Sequence, residues 1–318
     1  METALPKTLR EAVVYFSDLD VATAFVRDIR WPNGVECPTC GSKQVSYLST
    51  RRLWKCKTKH PKQQFTVKVG TIFEDSPIGL DKWLPAVWLV TGCKNGISSY
   101  ELSRDLGVTQ KSAWFMLHRV RFAMRSGSFD PKLTNEVEAD ETFVGGKVKN
   151  MHRKSKRKIK AVNDGNWGKT VVLGLVERGG HVRAMVSPNR KTAHVRKNVL
   201  ENVEPGSALY TDEADVYKHL NGEFVHQFIN HLSQYVNGRV HTNGLENLWS
   251  LLKRTLGGTY VSVDPVHLRR YLDEQCFRFN MRKLTDAERF AIVVGQVIGR
   301  RLTYSELTGK TVTSSVQA

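Results

Sequence analysis

Residues 135–144 read NEVEADETFV. Val137, Ala139 and Phe143 alternate with Glu138, Asp140 and Thr142, the period-two pattern of a β-strand, which puts Glu138 and Asp140 on one face. A carboxylate within a central strand is expensive to bury unless it has a task or a partner. Working outward, TVVLGLV (170–176), RGG (178–180) and HVRAMV (181–186) form a strand–turn–strand hairpin pattern. A helix is expected over about 193–203. ALYTD (208–212) is a short strand ending on Asp212, with a helix expected over 214–220. FVHQF (224–228) is the last strand, and a helix over about 245–255 carries Glu246 at its start. Three strands, helix, strand, helix, strand, helix is the order of an α/β domain.

The acids suggest phosphodiester chemistry. Two-metal cleavage needs carboxylates converging on ions roughly 3.5–4 Å apart, and hard oxygen ligands suit Mg²⁺. Asp140 on the first strand, Asp212 at the end of the fourth and Glu246 on the following helix could meet at one sheet edge. Spacing alone leaves Glu138 and Glu141 as alternatives to Asp140, and Glu213 and Asp215 as alternatives to Asp212. Lys253 lies seven residues after Glu246, two helical turns on and on the same face, where it could reach a bound phosphate. Trp249 and Leu252 sit at core spacing on that helix and read as packing residues. His241 and Asn243, just before it, suit either DNA contact or capping.

A second motif lies near the N-terminus. Cys37 and Cys40 form a C-x-x-C-G turn with Gly41, followed after fifteen residues by Cys56 and then by His60. Two pairs of soft ligands joined by a hairpin-length spacer fit tetrahedral Zn²⁺. Residues 44–48, 52–55 and 65–67 read as short strands, so the segment is expected to be a zinc ribbon. Comparable ribbons end in C-x-x-C, which makes His60 the unusual ligand. Cys93 and Cys276 sit in apolar helical patterns and read as core thiols.

Between these regions, a helix begins at Asp81. Ser98-x-x-Glu101 is a capping box, Gly107 stops the helix it opens, and Thr109 caps the next one. Two short helices around a glycine turn resemble a helix-turn-helix. The second would read DNA through Gln110, Lys111 and Ser112, with His118, Arg119, Arg121 and Arg125 further along for phosphates.

The whole chain has 318 residues, 40% hydrophobic and 25% charged, enough for a sizeable core. Its 48 Lys and Arg against 31 Asp and Glu give a net charge of +17, which favours a polyanionic partner, nucleic acid first. Residues 147–160 hold eight Lys or Arg in fourteen positions. Lys154, Lys156, Arg157 and Lys158 in this run are candidates for a DNA clamp, or for a solvated loop. No apolar run is long enough to span a membrane. Five cysteines, an odd number, and an N-terminus unlike a secretory signal point to a reducing, cytoplasmic setting.

EADETFVGGK (138–147), YTDEADVY (210–217) and HTNGLENLWSLLKR (241–254) resemble the signature blocks of bacterial insertion-sequence transposases of the DDE class. FTVKVGTIFEDSPIGLDKW (65–83) resembles the subgroup that carries an N-terminal zinc ribbon and a helix-turn-helix. The likeness runs over roughly residues 20–290. It implies an α/β fold with an RNase H-like mixed-sheet catalytic domain behind those two modules. It selects Asp140, Asp212 and Glu246 as the triad, with Lys253 the lysine that follows the glutamate. It further implies two Mg²⁺ ions, with Mn²⁺ able to replace them, and one structural Zn²⁺. The partners implied are double-stranded DNA, as element ends and as target, and no membrane; cutting two ends in concert suggests a homo-oligomer on DNA. The setting would be the bacterial cytoplasm, at the nucleoid.

The expected organisation is a helical segment (1–30), the ribbon (31–76), the helix-turn-helix (78–127), the catalytic domain (132–290) and a C-terminal helix with a polar tail (291–318). The expected activity is binding of terminal inverted repeats, strand cleavage and strand transfer. The rivals are a DNA-binding regulator that does not cut and a nuclease that cuts without joining. An intact acid set argues against the first, and product analysis separates the second.

Overall fold

A computed structural model describes residues 5–125, 131–146, 152–153, 156–157, 168–212, 215–220, 222–229 and 241–309. The chain divides into two compact units, 1–125 with 283–318, and 126–282.

In the first unit, α1 (Leu9–Phe16) and α2 (Leu19–Arg30) start at side-chain caps, Thr8 and Asp18. The ribbon follows as an antiparallel sheet, β1 (Val45–Leu48), β2 (Leu53–Cys56) and β3 (Gln64–Phe65). Trp54 and Phe65 stack within it, and Trp31 at the end of α2 packs edge-on against both. α3 (Leu80–Gly92) is apolar nearly all round and is the buried spine of the unit. Its Trp88 meets Phe290 of the helix Asp286–Gly295 at 4.9 Å between rings.

α4 (Ser99–Leu106) opens on the expected capping box and stops at Gly107, which adopts φ 59°. α5 (Gln110–Ala123) begins at Thr109, whose side chain accepts from the Ser112 amide. The two-helix, glycine-turn pattern is present, but α5 does not lie open along its length. Ala113 and Met116–Val120 are buried, as are Arg121 and Ala123.

The second unit is built on a five-stranded mixed sheet. Its strands are β4 (Glu136–Val144), β5 (Thr170–Glu177), β6 (Val182–Ser187), β7 (Ala208–Asp212) and β8 (Val225–Ile229), in the order β6-β5-β4-β7-β8. The first three are antiparallel, and β4, β7 and β8 run parallel. This is the RNase H-like arrangement. β5 is apolar at every position from Val171 to Val176 except Gly174 because both faces of the sheet are covered. On one face α6 (Thr192–Asn202) and the short helix Asp215–Leu220 pack over Ala139, Leu173 and Leu175. On the other, α7 (Asn243–Gly258) and α8 (Leu268–Asn280) pack over Val172 and Val176. The Asp215–Leu220 segment is a 3₁₀ helix, tighter than the α-helix expected over 214–220.

Candidate active site and zinc centre

β4 alternates as its sequence requires and so presents acids to both faces of the sheet. Asp140 points to the α7 face, where its Oδ2 accepts the Trp249 indole N–H at 2.8 Å. Burial pushes the Asp140 carboxyl up to about 6; the indole opposes that shift, and the nearby charges of Asp212 and Glu141 add to it. Asp212 ends β7, which pairs in parallel with β4 through Glu138↔Tyr210. Two residues beyond that pair, Asp140 and Asp212 are neighbours close enough to repel. Glu246 is exposed on the first turn of α7, three residues before Trp249 and so on adjoining surface of the helix. Lys253 is exposed two turns further along. Asp140 and Asp212 thus lie on adjacent strands and Glu246 on the helix that the indole ties to Asp140, but among the described residues only the ribbon draws three or more possible metal ligands together, so these three carboxylates are not gathered to coordination distance.

The neighbouring acids have different surroundings. Glu138, on the Asp140 face, is 2% exposed and accepts the amides of Gly244 and Leu245 and the guanidinium of Arg178. His241 also bonds into this group, through Arg178 and beside Glu138, with 29% of its side chain still exposed. Glu141, on the opposite face, pairs with Arg190 at 3.1 Å and lies beside the buried Tyr217, and burial raises its carboxyl. Glu213 lies outside the described residues.

Trp249 belongs to the apolar cluster with Leu248 and Leu252, as its spacing indicated. Its second role, as a donor to Asp140, carried no signal in the sequence. Gly174 and Gly244 were missed for the same reason. A Cβ at Gly174 would stand 2.5 Å from Trp249, and one at Gly244 2.7 Å from Glu138 Oε2.

The ribbon brings Cys37, Cys40, Cys56 and His60 together, with one ligand atom from each lying within 4.8 Å of the others. Cys37 Sγ lies 3.4 Å from His60 Nε2, and Cys40 Sγ 3.7 Å from Cys56 Sγ. His60 Nδ1 is 2.6 Å from the Pro61 carbonyl oxygen, which only accepts, so Nδ1 carries the proton and Nε2 keeps a lone pair facing the thiols. The donor set is that of a structural zinc site. Cys276 is buried, with its thiol pushed up to about 12 by burial, whereas Cys93 is only half-buried at the end of α3.

Among the expected DNA contacts, Lys111 is exposed, near the Tyr304 ring. The Gln110 amide donates to Ser99 Oγ, and Ser112 Oγ accepts from Thr109. Arg119 is a correction. It is 4% exposed, stacks on Phe115 and donates to the carbonyls of Ile72, Glu74 and Leu302, so its charge holds loops together inside the unit. His118 and Arg121 are likewise buried, because α5 turns these positions inward. Of the basic run, Arg157 is exposed and Lys156 half-buried; Lys154 and Lys158 lie outside the described residues. Among the described residues no helix is long and apolar enough to cross a membrane.

Residues 132–280 match the ISXO2-like transposase domain, and residues 18–58 match the transposase zinc-ribbon domain. The second match takes in the three cysteines and ends two residues short of His60. The chain is 29% identical over 245 residues to an uncharacterized protein in transposable element ISH50 of Halobacterium salinarum, covering 74% of this chain and 82% of that protein. It is 34% identical over 100 residues to an uncharacterized transposase-like protein of Haemophilus influenzae, covering 31% of this chain and 80% of that one. The chain belongs to the family of transposases with a zinc ribbon and an ISXO2-like transposase domain.

Proposed function

We propose that the chain is an active DNA transposase that binds the terminal inverted repeats of its element, cuts a strand at each end and joins it to target DNA. The observation that carries this reading is the placement of Asp140 and Asp212 on adjacent parallel strands, each two residues beyond the Glu138↔Tyr210 pair, with Trp249 tying Asp140 to the helix that bears Glu246. Asp140, Asp212 and Glu246 would hold two Mg²⁺ ions, or Mn²⁺ in their place. The fit rests on the donor set: two mutually repelling carboxylates, one of them half-buried with its carboxyl raised, gain most from a divalent cation. When bound, the ions supply charge stabilisation at the attacking and leaving oxygens of an in-line displacement.

The chain's own residues set up that displacement. Trp249 holds the Asp140 carboxylate in one orientation, and the apolar α7–sheet contact excludes water from behind it. Lys253 offers its ammonium to a phosphate of the bound strand. In cleavage, water adds to phosphorus, the 3′ oxygen leaves with the electron pair and takes up a proton. In joining, that 3′-hydroxyl attacks a target phosphodiester and loses its proton as the target's 3′ oxygen departs. The sum conserves the number of phosphodiester bonds in the joining step.

Gln110, Lys111 and Ser112 at the start of α5 would face DNA, and Lys154, Lys156, Arg157 and Lys158 would clamp its phosphates. Two ends must be cut together, so the working form would be a homo-oligomer on DNA. The test uses DNA from both flanks of the gene, purified protein and Mg²⁺, beside Glu246→Gln. Cleaved ends plus joined product, lost in the variant, support the reading. Tight binding with no cleavage by either protein overturns it in favour of a regulator, and cleavage without joining in favour of a nuclease.

A further inference from the structure

We infer that Glu138 and Arg178 form a positioning node that sets the spacing of the three acids, an inference that rests on the phosphoryl-transfer reading above. Glu138 shares the strand face of Asp140, but it is closed off from solvent. Its Oε2 accepts the Gly244 amide at 2.8 Å and the Leu245 amide at 3.3 Å. Its Oε1 accepts from Arg178 Nε at 3.1 Å and lies 3.3 Å from His241 Nδ1. Helix α7 has no side-chain cap from its own Thr242. Its first-turn amides are capped instead from the sheet, by a charge that also suits the positive end of the helix.

Arg178 carries the connection to the third element. Its guanidinium lies over the Tyr210 ring at 4.3 Å, and its Nη2 donates to the His241 carbonyl at 2.9 Å. Each anchor stands two residues before an acid: Glu138 before Asp140, Tyr210 before Asp212, Gly244 before Glu246. Backbone pairing of Glu138 with Tyr210 already sets β4 against β7. No ladder does this for a helix, so the depth of α7, and with it the place of Glu246, is set where Glu138 receives its amides.

Gly244 supports this independently. A Cβ there would stand 2.7 Å from Glu138 Oε2 and 3.3 Å from Val176 Cγ1. Glycine is needed for space, because a buried carboxylate held by three donors cannot swing aside. Displacing reacting groups by about 1 Å can cost on the order of 100-fold in rate.

The experiment uses the full chain and compares Glu138→Gln, Glu138→Asp, Gly244→Ala and the double variant Glu138→Asp with Gly244→Ala, beside Asp140→Asn. Cleavage of end DNA is followed against Mg²⁺ concentration, with melting temperature and DNA affinity measured in parallel. Glu138→Asp and Gly244→Ala should each lower cleavage about 10–100-fold and raise the Mg²⁺ requirement, with DNA affinity within about twofold of wild type. The double variant should exceed the product of the single effects by about tenfold, since a shorter carboxylate makes room for the added methyl. Losses that multiply in the double variant, or that track melting temperature with the Mg²⁺ requirement unmoved, overturn the inference. If Gly244→Ala does not accumulate folded, Glu138→Gln decides: activity equal to wild type overturns the node, and a 10-fold or larger loss with native melting supports it. A wild type that does not cleave, or cleavage retained by Asp140→Asn, instead refutes the underlying site reading and the node with it.

Discussion

Asp140 and Gly174 face one another across the β4–β5 ladder, and the bare glycine lets the Trp249 ring lie over the pair and reach Asp140 Oδ2. The strand that carries the acid and the strand that accommodates the indole therefore act together. A methyl at 174 would collide with Trp249 and also with Leu245, at 2.6 Å.

Gly174→Ala is accordingly expected to push α7 off the sheet. Overpacking of this kind costs about 1–3 kcal/mol, and the displaced indole would release Asp140. Chemical denaturation with a cleavage assay checks both effects. A variant as stable and active as wild type would show that α7 is not seated on this glycine.

Asp140 should also cost the metal-free protein stability. Its folded carboxyl titrates near 6, above the usual unfolded value of about 3.9, so the folded state holds the proton more tightly. Stability then falls as pH rises from about 4 to 6 and stays lower above that. Asp140→Asn should therefore raise stability at pH 7.5 in Mg²⁺-free buffer, by on the order of 1 kcal/mol. The gain should vanish near pH 4, and added Mg²⁺ should narrow it. Melting curves across this range test the sign; a gain independent of pH would point to packing instead.

In the ribbon, His60→Cys should keep one zinc per chain, because a fourth thiolate completes a common tetrahedral set. His60→Ala should weaken zinc retention, and Cys37→Ser should abolish it and unfold β1–β3. Elemental analysis after dialysis against a mild chelator gives the answer. Full zinc retention in His60→Ala would remove His60 from the ligand set.

Arg119→Met should destabilise the first unit by about 3 kcal/mol or more, since three carbonyls lose their donor at once. DNA affinity measured well below the melting temperature should hardly change. A selective loss of affinity with unchanged stability would restore Arg119 to the DNA surface.

Much of the fold was legible because it is local. Alternation in β4, apolar continuity in β5, the capping box at Ser98 and the glycine stop at 107 each act within a few residues. The ligand spacing of the ribbon was equally readable, since a hairpin of that length brings two knuckles together. α5 was misjudged at Arg119 for a related reason. A basic residue on a helix reads as exposed unless its acceptors are known, and these acceptors are backbone carbonyls 45, 47 and 183 residues away. Carbonyls belong to every residue and leave no mark in a sequence.

The sequence by itself determined the succession of strands and helices along the chain, the candidate acids, the metal-ligand spacing and the family likeness, because these depend on residue type and short-range periodicity. Only the tertiary structure decided which acids on β4 share the Asp212 neighbourhood and which serve other ends. Asp140 meets Trp249, Glu138 caps α7, and Glu141 pairs with Arg190 on the opposite face. Three carboxylates within four residues are chemically alike on paper. They differ in the folded chain because strand alternation sends Glu141 to the face opposite Glu138 and Asp140, and because each position along the strand meets its own donors and its own degree of burial.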